Sequence, residues 1–280
     1  INSSHINRYF FYKKRKSEFQ LILCLANIPP PIRIQQKTII YFHNALLLNL
    51  FKNELSFKSR FIFYLKKSYL KFFNSSSYIW VVQTALMEKS LKDIFNNNPI
   101  YKYPIFQSVY YSSLKDKNIF FYPSSLLTHK NHSRLLAGFL MAAKCTNKEI
   151  KLHLTIKKEK LFLNEFPKNL KVEYHGTLSE NRVNELYNSC EFVIYPSLIE
   201  SFGLPLIEAA NHSCKVIASN LPYVHEIVKP SLTFDPYSVE SISNAILNAI
   251  DTDVLPETRV LVENKLNNFI EFIISQDVQR

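Results

Sequence analysis

A parallel α/β fold is the class this sequence predicts, and three observations predict it. Short apolar runs rich in Ile, Val, Phe and Tyr recur between residues 19 and 234. Segments with apolar residues at helical spacing separate most of them, as in a βαβ chain. The runs are apolar throughout instead of alternating, as strands covered on both faces are. The 280 residues allow one large domain or two of ordinary size. With 47% hydrophobic and 20% charged residues the chain can bury a core, which excludes a disordered chain. Only 3 residues are Gly, which excludes fibrous and glycine-linker readings and makes each remaining glycine more informative than usual.

The elements follow in order. FQLILCLAN over 19–27 reads as a buried strand, stopped by Pro29-Pro30-Pro31. TIIYF over 38–42 is a second strand, closed by His43-Asn44. Residues 45–73 are apolar and basic, with Leu46, Leu50, Phe57, Phe61, Leu65 and Tyr69 near helical spacing. YIWVVQ over 78–83 is a third strand, 84–95 is helical, and 96–118, with Pro99 and Pro104, is irregular. A cleaner alternation then begins. Strands are expected at 119–122, 151–156, 171–175, 191–195, 215–218 and 232–234. Helices are expected at 132–145, 179–190, 204–212, 223–228, 238–250 and 256–274. Ser179 is placed to cap its helix, and Pro205 sits in a first turn, where a missing N–H costs nothing. Two Rossmann-like, doubly wound domains facing each other across a cleft are the expected architecture, and ligands in such sheets bind beyond the carboxyl ends of the strands.

Charge divides the chain. The net charge is +11, but residues 1–119 hold 18 Lys/Arg against 5 Asp/Glu, a net +13, and residues 120–280 hold 16 against 18, a net −2. A basic half suits an anionic partner. The stretch 52–71, with Lys52, Lys58, Arg60, Lys66, Lys67 and Lys71 among Phe57, Phe61, Phe63 and Tyr64, has the composition of a helix lying on anionic lipid or of one with a solvated basic face. No nucleic-acid-binding motif accompanies the charge, so no nucleic-acid partner is expected. Cys24, Cys145, Cys190 and Cys214 form no C-x-x-C pair and have no His cluster at zinc spacing, so they read as reduced thiols and no metal site is expected. Asp251-Thr252-Asp253 follows a helix and reads as a polar turn. No apolar run is long enough to span a membrane and no signal peptide opens the chain, so a cytoplasmic protein is expected.

YPSLIESFGLPLIE over 195–208 carries the chemistry. Glu200 sits in the loop at the strand end, and Glu208 lies about one turn inside the following helix. Phe202, Gly203 and Leu204 stand at the helix N-terminus, where amide N–H groups and the helix dipole favour an anionic or hydroxyl-rich ligand. Gly203 permits close approach of the backbone. A sugar or phosphate site with two accepting carboxylates is the chemical reading, against an ordinary strand–loop–helix with surface glutamates.

The stretch 186–236 resembles the donor-binding half of family-4 glycosyltransferases of the GT-B fold, which carry a Glu–seven residues–Glu motif of the form E-G-F-G-L-P-x-x-E. Ser201 and Ser213 stand where that family commonly has Gly. The resemblance implies that Glu208 accepts the ribose hydroxyls of a nucleotide and that Glu200 contacts the donor sugar. It places the amides of Phe202, Gly203 and Leu204 against the sugar and diphosphate. Lys130 resembles the lysine that binds the diphosphate, while Ser125 stands where many relatives have an Arg, with His129 or Arg134 as substitutes. The Gly176-Thr177-Leu178 loop resembles the one whose backbone contacts the base, with Gly176 and Leu178 as its donor-binding residues. His43 resembles the family's His near donor sugar and acceptor.

The resemblance thus implies a retaining, metal-independent hexosyltransferase. It uses a nucleotide-sugar, UDP-sugar before GDP-sugar, with no other cofactor, and a glycan or lipid-linked acceptor in cell-surface polysaccharide or lipopolysaccharide synthesis. The protein would be peripheral at the inner face of the membrane. The domain division expected is 1–118 for a partial acceptor-side domain, 119–265 for the nucleotide-sugar domain and 266–280 for a C-terminal helix. Complete relatives begin with a strand and Gly-rich loop before residue 19, so roughly 70 or more residues are expected to be missing at the N-terminus. A truncated, non-catalytic remnant is the alternative.

Overall fold

In the computed structural model the described residues are 4–48, 57–107, 111, 114–158 and 166–278. They form two compact units, Ile1–Gln107 with Glu263–Arg280, and Ser108–Val262.

The first unit opens with helix α1 (His5–Arg15) and builds a sheet from β1 (Leu21–Cys24), β2 (Lys37–Tyr41), β3 (Tyr78–Val82) and β4 (Ile100–Lys102). All four strands are parallel and lie side by side in chain order. Helices α2 (Phe57–Phe73) and α3 (Ala85–Lys92) lie between β2 and β4 in the chain. The period of two along each strand sorts the core onto two faces. Ile39, Tyr41, Ile79 and Val81 pack on Phe269 from the last helix of the chain, whereas Trp80 stacks on Phe95, beyond α3, with ring centroids 4.6 Å apart.

The second unit contains β5 (Asp116–Tyr122), α4 (His132–Lys144), β6 (Ile150–Leu154), β7 (Leu170–Tyr174), α5 (Glu180–Ser189), β8 (Cys190–Tyr195), α6 (Leu204–Asn211), β9 (Lys215–Ser219), α7 (Pro222–Ile227), β10 (Val228–Lys229), β11 (Leu232–Phe234), α8 (Val239–Asp251) and β12 (Arg259–Val260). Its six parallel strands run in the order β11-β9-β8-β5-β6-β7. The chain moves outward from β5 through β6 to β7, then returns to the other side of β5 and moves outward through β8 and β9 to β11. The order reverses between β5 and β8, and loops there open a crevice at the carboxyl ends.

The three glycines all have a physical reason. A Cβ on Gly138 of α4 would lie 2.5 Å from Ile242 Cγ2 on α8, so the two helices touch through bare backbone. Gly176 and Gly203 have φ of +68° and +88°, a region that side chains disfavour. Elsewhere Asn27, Asn118, Asn131 and Ser213 hold positive φ, so Asn and Ser do the work of glycine in this chain.

Four expectations are corrected. Helix α1 lies where no element is expected: Ser4 makes no side-chain cap, and no acidic residue stands in the first turn. β4 lies inside the stretch read as irregular, since three residues beside two prolines give no periodic signal. The helical stretch 45–73 divides into a 3₁₀ turn at Ala45–Leu48 and α2, with 49–56 outside the described residues. The last helix, α9, spans Leu266–Val278 instead of 256–274, because Arg259 and Val260 pair antiparallel with β10. It packs on the first unit through Phe269 and Phe272, with Tyr103 about equally close to both rings, at 5.5 and 5.3 Å.

Candidate functional site

Lys130 and Glu200 stand on either side of the strand-order reversal in the second unit. Lys130 ends a 3₁₀ turn, Thr128–Lys130, after β5, and its carbonyl accepts from Tyr122 Oη at 2.8 Å. Glu200 lies in the loop after β8. Lys130 Nζ donates to Glu200 Oε1 at 2.5 Å, and both side chains are about seven-eighths covered, 14% and 13% exposed. Tyr195, the last residue of β8, donates its hydroxyl to the same oxygen at 2.9 Å. Burial holds that phenol protonated, well above its ordinary range, so it can only donate to Glu200.

Asn131 locks these loops together. Its φ of +60° ends the Lys130 turn and caps α4. Its Nδ2 donates to the carbonyls of Pro196 at 3.2 Å and Pro236 at 2.7 Å, and its Oδ1 accepts from Arg134. The loops after β5, β8 and β11 are thereby tied at one buried residue. The His129 carbonyl adds a bond from the Leu198 N–H at 2.8 Å. Arg134 also lies over the Tyr237 ring, and burial pushes the His129 imidazole down.

Gly203 is the residue before α6, and its carbonyl accepts from the Leu206 N–H at 2.9 Å. Its left-handed backbone turns the chain sharply from the Glu200 loop into the helix. Phe202 is buried beneath the turn and Leu204 is exposed above it. Leu204 supplies the first N–H of α6, because Pro205 has none and the N–H of Leu206 is taken by Gly203. Glu208 lies one turn on, with Tyr187 Oη donating to its Oε2 at 2.9 Å. The residue shows surface to solvent, but its carboxyl end is enclosed, and desolvation raises its pKa from the ordinary 4.5 against the opposing hydrogen bond from Tyr187. Gly176 and Leu178 follow β7, two strands from β5 at the same end of the sheet. Gly176 is buried and Leu178 half-buried.

His43 lies in the first unit, two residues beyond β2. Asn27, at the end of the neighbouring β1 and with φ of +66°, bonds the His43 ring at Nε2 over 3.1 Å and accepts from its backbone N–H at 2.5 Å. An amide NH₂ can only donate, so Nε2 accepts and the ring proton sits on Nδ1. Desolvation lowers this imidazole's pKa.

Six of the nine residues expected from sequence therefore lie around the carboxyl end of β8 and the start of α6: Lys130, Glu200, Phe202, Gly203, Leu204 and Glu208. Asn27, Asn131, Tyr187 and Tyr195 are the supporting residues that sequence reading missed. The first two act through positive φ and long-range bonds, which spacing does not reveal. Tyr187 and Tyr195 read simply as strand or helix apolar positions. Among the described residues one further group, His153, Glu173 and His175, brings metal-type donor atoms together. Lys148 pairs with Asp251, the last residue of α8, at 2.9 Å.

Solved structures share the fold. TarM matches at a TM-score of 0.62 and 12% identity, over 97% of this chain and 58% of that one. A UDP-forming trehalose-phosphate synthase from Burkholderia xenovorans matches at 0.61 and 9%, over 97% and 73%. These likenesses give the two Rossmann-like domains the GT-B fold. In sequence, 83 residues are 34% identical to the O-antigen chain mannosyltransferase B of Escherichia coli, 29% of this chain and 22% of that protein. Another 101-residue match is 32% identical to the O-antigen chain mannosyltransferase RfbU of Salmonella typhimurium, 36% of this chain and 27% of that protein. The matches thus span about a quarter of these relatives. Residues 110–267, more than half of the chain and including every candidate residue except His43, match the family model of the glycosyl transferases group 1, and the chain belongs to that family.

Proposed function

We propose that the protein transfers a hexosyl group, with retention and without a catalytic metal, from a nucleoside-diphosphate sugar to a glycan or lipid-linked acceptor of a cell-surface polysaccharide. UDP is the nucleotide expected before GDP, and the mannosyltransferase relatives make mannose the first sugar to try. The observation that supports this reading is the Lys130–Glu200 pair across the strand-order reversal, next to the Gly203 turn and Glu208. Lys130 is the cation for the diphosphate, and it counters the charge that builds on the leaving nucleotide. Glu208 accepts ribose hydroxyls, and the amides at the start of α6 meet the sugar and phosphate. Glu200 accepts hydroxyls of the donor sugar. Diphosphate and sugar together would replace each member of the Lys130–Glu200 pair with a better partner, so the pair exchanges rather than being left unsatisfied. His43, neutral and held by Asn27, orients the acceptor, whose proton passes to the departing phosphate.

A membrane-bound acceptor suits α2. Among the described side chains of that helix only Leu70 is buried, while Phe61, Tyr64, Leu65 and Phe72 are exposed beside Arg60, Lys66 and Lys71. Lys52 of the same basic stretch lies outside the described residues. An apolar and basic surface of this kind lies well on anionic lipid, at the cytoplasmic face. The test is release of nucleoside diphosphate from candidate donors in the presence of anionic vesicles carrying lipid-linked acceptor. The expected outcome is turnover that Lys130→Ala lowers by about a hundredfold or more and sedimentation with the vesicles that salt reverses. Turnover unaffected by Lys130→Ala would remove the proposed role, and failure to sediment would remove the membrane.

A further inference from the structure

The edge of the second unit's sheet carries a second cluster. β6 and β7 pair in parallel with His153 opposite Glu173. His175 lies two residues beyond Glu173, so the alternation of side chains sets all three on one face. His153 Nδ1 is 2.7 Å from His175 Nε2 and 3.4 Å from Glu173 Oε2, and His175 Nε2 is 3.9 Å from that oxygen. Ligand atoms around a tetrahedral ion with bonds of 2.0–2.1 Å lie roughly 3.3–3.4 Å apart. The observed triangle brackets that size, so small side-chain movements suffice to fit an ion.

We propose that His153 Nδ1, His175 Nε2 and Glu173 Oε2 form a binding site for a divalent transition-metal ion of the zinc class. Two imidazoles and one carboxylate favour Zn²⁺, Co²⁺ or Ni²⁺ over Mg²⁺ or Ca²⁺, which take oxygen ligands. Three protein ligands leave a fourth position for water or a further ligand. Lys151 Nζ holds the other carboxylate oxygen, Oε1, at 2.7 Å, and this aims Oε2 at the two rings. The ring planes are 20° from parallel with centroids 5.0 Å apart, so the two nitrogens face each other across a hydrogen bond that an ion would replace. Lys151 and Arg182 are the cations that bear on the two rings, and each has its own carboxylate partner, Glu173 and Glu185. The His153 side chain is 7% exposed, which fixes one ligand in the core, while the others reach the surface and admit the ion. The site immediately precedes the Gly176 turn, so a bound ion would pin that turn to β6.

The test uses the 280-residue chain, freed of metal by chelation, and titrates it with Zn²⁺ against a chromophoric chelator and with Co²⁺ by visible absorption. The expected result is one equivalent bound, with the intense bands of four-coordinate Co²⁺. Glu173→Gln and His175→Ala change partly exposed residues and should leave the circular dichroism unchanged while weakening Zn²⁺ binding by about a hundredfold or more. Cys145→Ser, which removes the one exposed thiol among the described residues, should leave it unchanged. Absence of stoichiometric binding, binding that survives both substitutions, or binding lost with Cys145 would each overturn the proposal. The readout is metal binding alone, so it stands apart from any result on sugar transfer.

Discussion

Tyr187 controls the charge of Glu208. It is buried, set edge-on to Phe121 and stacked on His212, and its hydroxyl reaches the carboxylate at 2.9 Å. Desolvation raises the Glu208 pKa and the Tyr187 bond opposes it. Only the ionised carboxylate offers all its lone pairs to ribose hydroxyls. Nucleotide affinity should therefore fall on acidification, with a midpoint above 4.5, the ordinary carboxylate value. Tyr187→Phe deletes the opposing bond and should move that midpoint to higher pH, read by calorimetry across a pH series. An unmoved midpoint would separate Glu208 from the nucleotide. At this scale Glu200, Gly203 and Glu208 were legible because their residue types and spacing form a local motif, whereas Lys130, 70 residues away from Glu200, came through the family resemblance. Asn27 and Asn131 were not, because a positive φ and hydrogen bonds spanning 16 to 105 residues leave no local trace.

Among the elements, α4 and α8 meet through bare backbone at Gly138. Its replacement by Ala gains helix propensity worth about 1 kcal/mol. The new methyl would meet Ile242 Cγ2 at 2.5 Å and Cβ at 2.9 Å. Ile is stiff at χ1, so the neighbour cannot swing aside. Overpacking of this kind costs about 1–3 kcal/mol. We expect Gly138→Ala to lower stability in chemical denaturation and to leave nucleotide affinity unchanged, since the contact lies between helices and not at the strand ends. Unaltered stability would contradict the packing account. The helices and strands from 119 to 250 were readable because each has its own periodicity and punctuation. β4 was too short to show one. The start of α9 was obscured because the β10–β12 pairing that delays it joins residues 30 and 32 apart.

Taken whole, the molecule holds several histidines of its second unit below their ordinary range, and His132 and His212 are two that lie outside the His153–Glu173–His175 cluster. His132 is buried against Tyr122, neither of its ring nitrogens has a hydrogen-bond partner among the described residues, and desolvation pushes it down to about 4. Burial pushes His212 down to about 4 as well. Both titrate near 6.5 when unfolded, so between 6.5 and 4 the unfolded chain binds more protons and stability falls as pH falls. Each contributes about 1–2 kcal/mol of that loss by pH 5. Glu208, with its raised pKa, acts in the opposite direction but is a single group. The melting temperature should drop between pH 7 and pH 5, and His132→Leu should flatten the curve. A flat curve for the unaltered protein would contradict the burial of these rings. The charge division, +13 before residue 120 and −2 after it, runs close to the boundary between the two units, and the basic unit is the one that exposes α2.

The donor site is the centre of the account, and calorimetric titration with UDP and with GDP tests it most directly, with Glu208→Ala as the paired variant. The account predicts saturable binding of one of the two nucleotides, weakened at least about tenfold in the variant, because a hydrogen bond to a charged group contributes about 1.5–3 kcal/mol. A folded protein that binds neither nucleotide, or binds one equally well without Glu208, would contradict it and would favour a chain that keeps the family's fold without its chemistry.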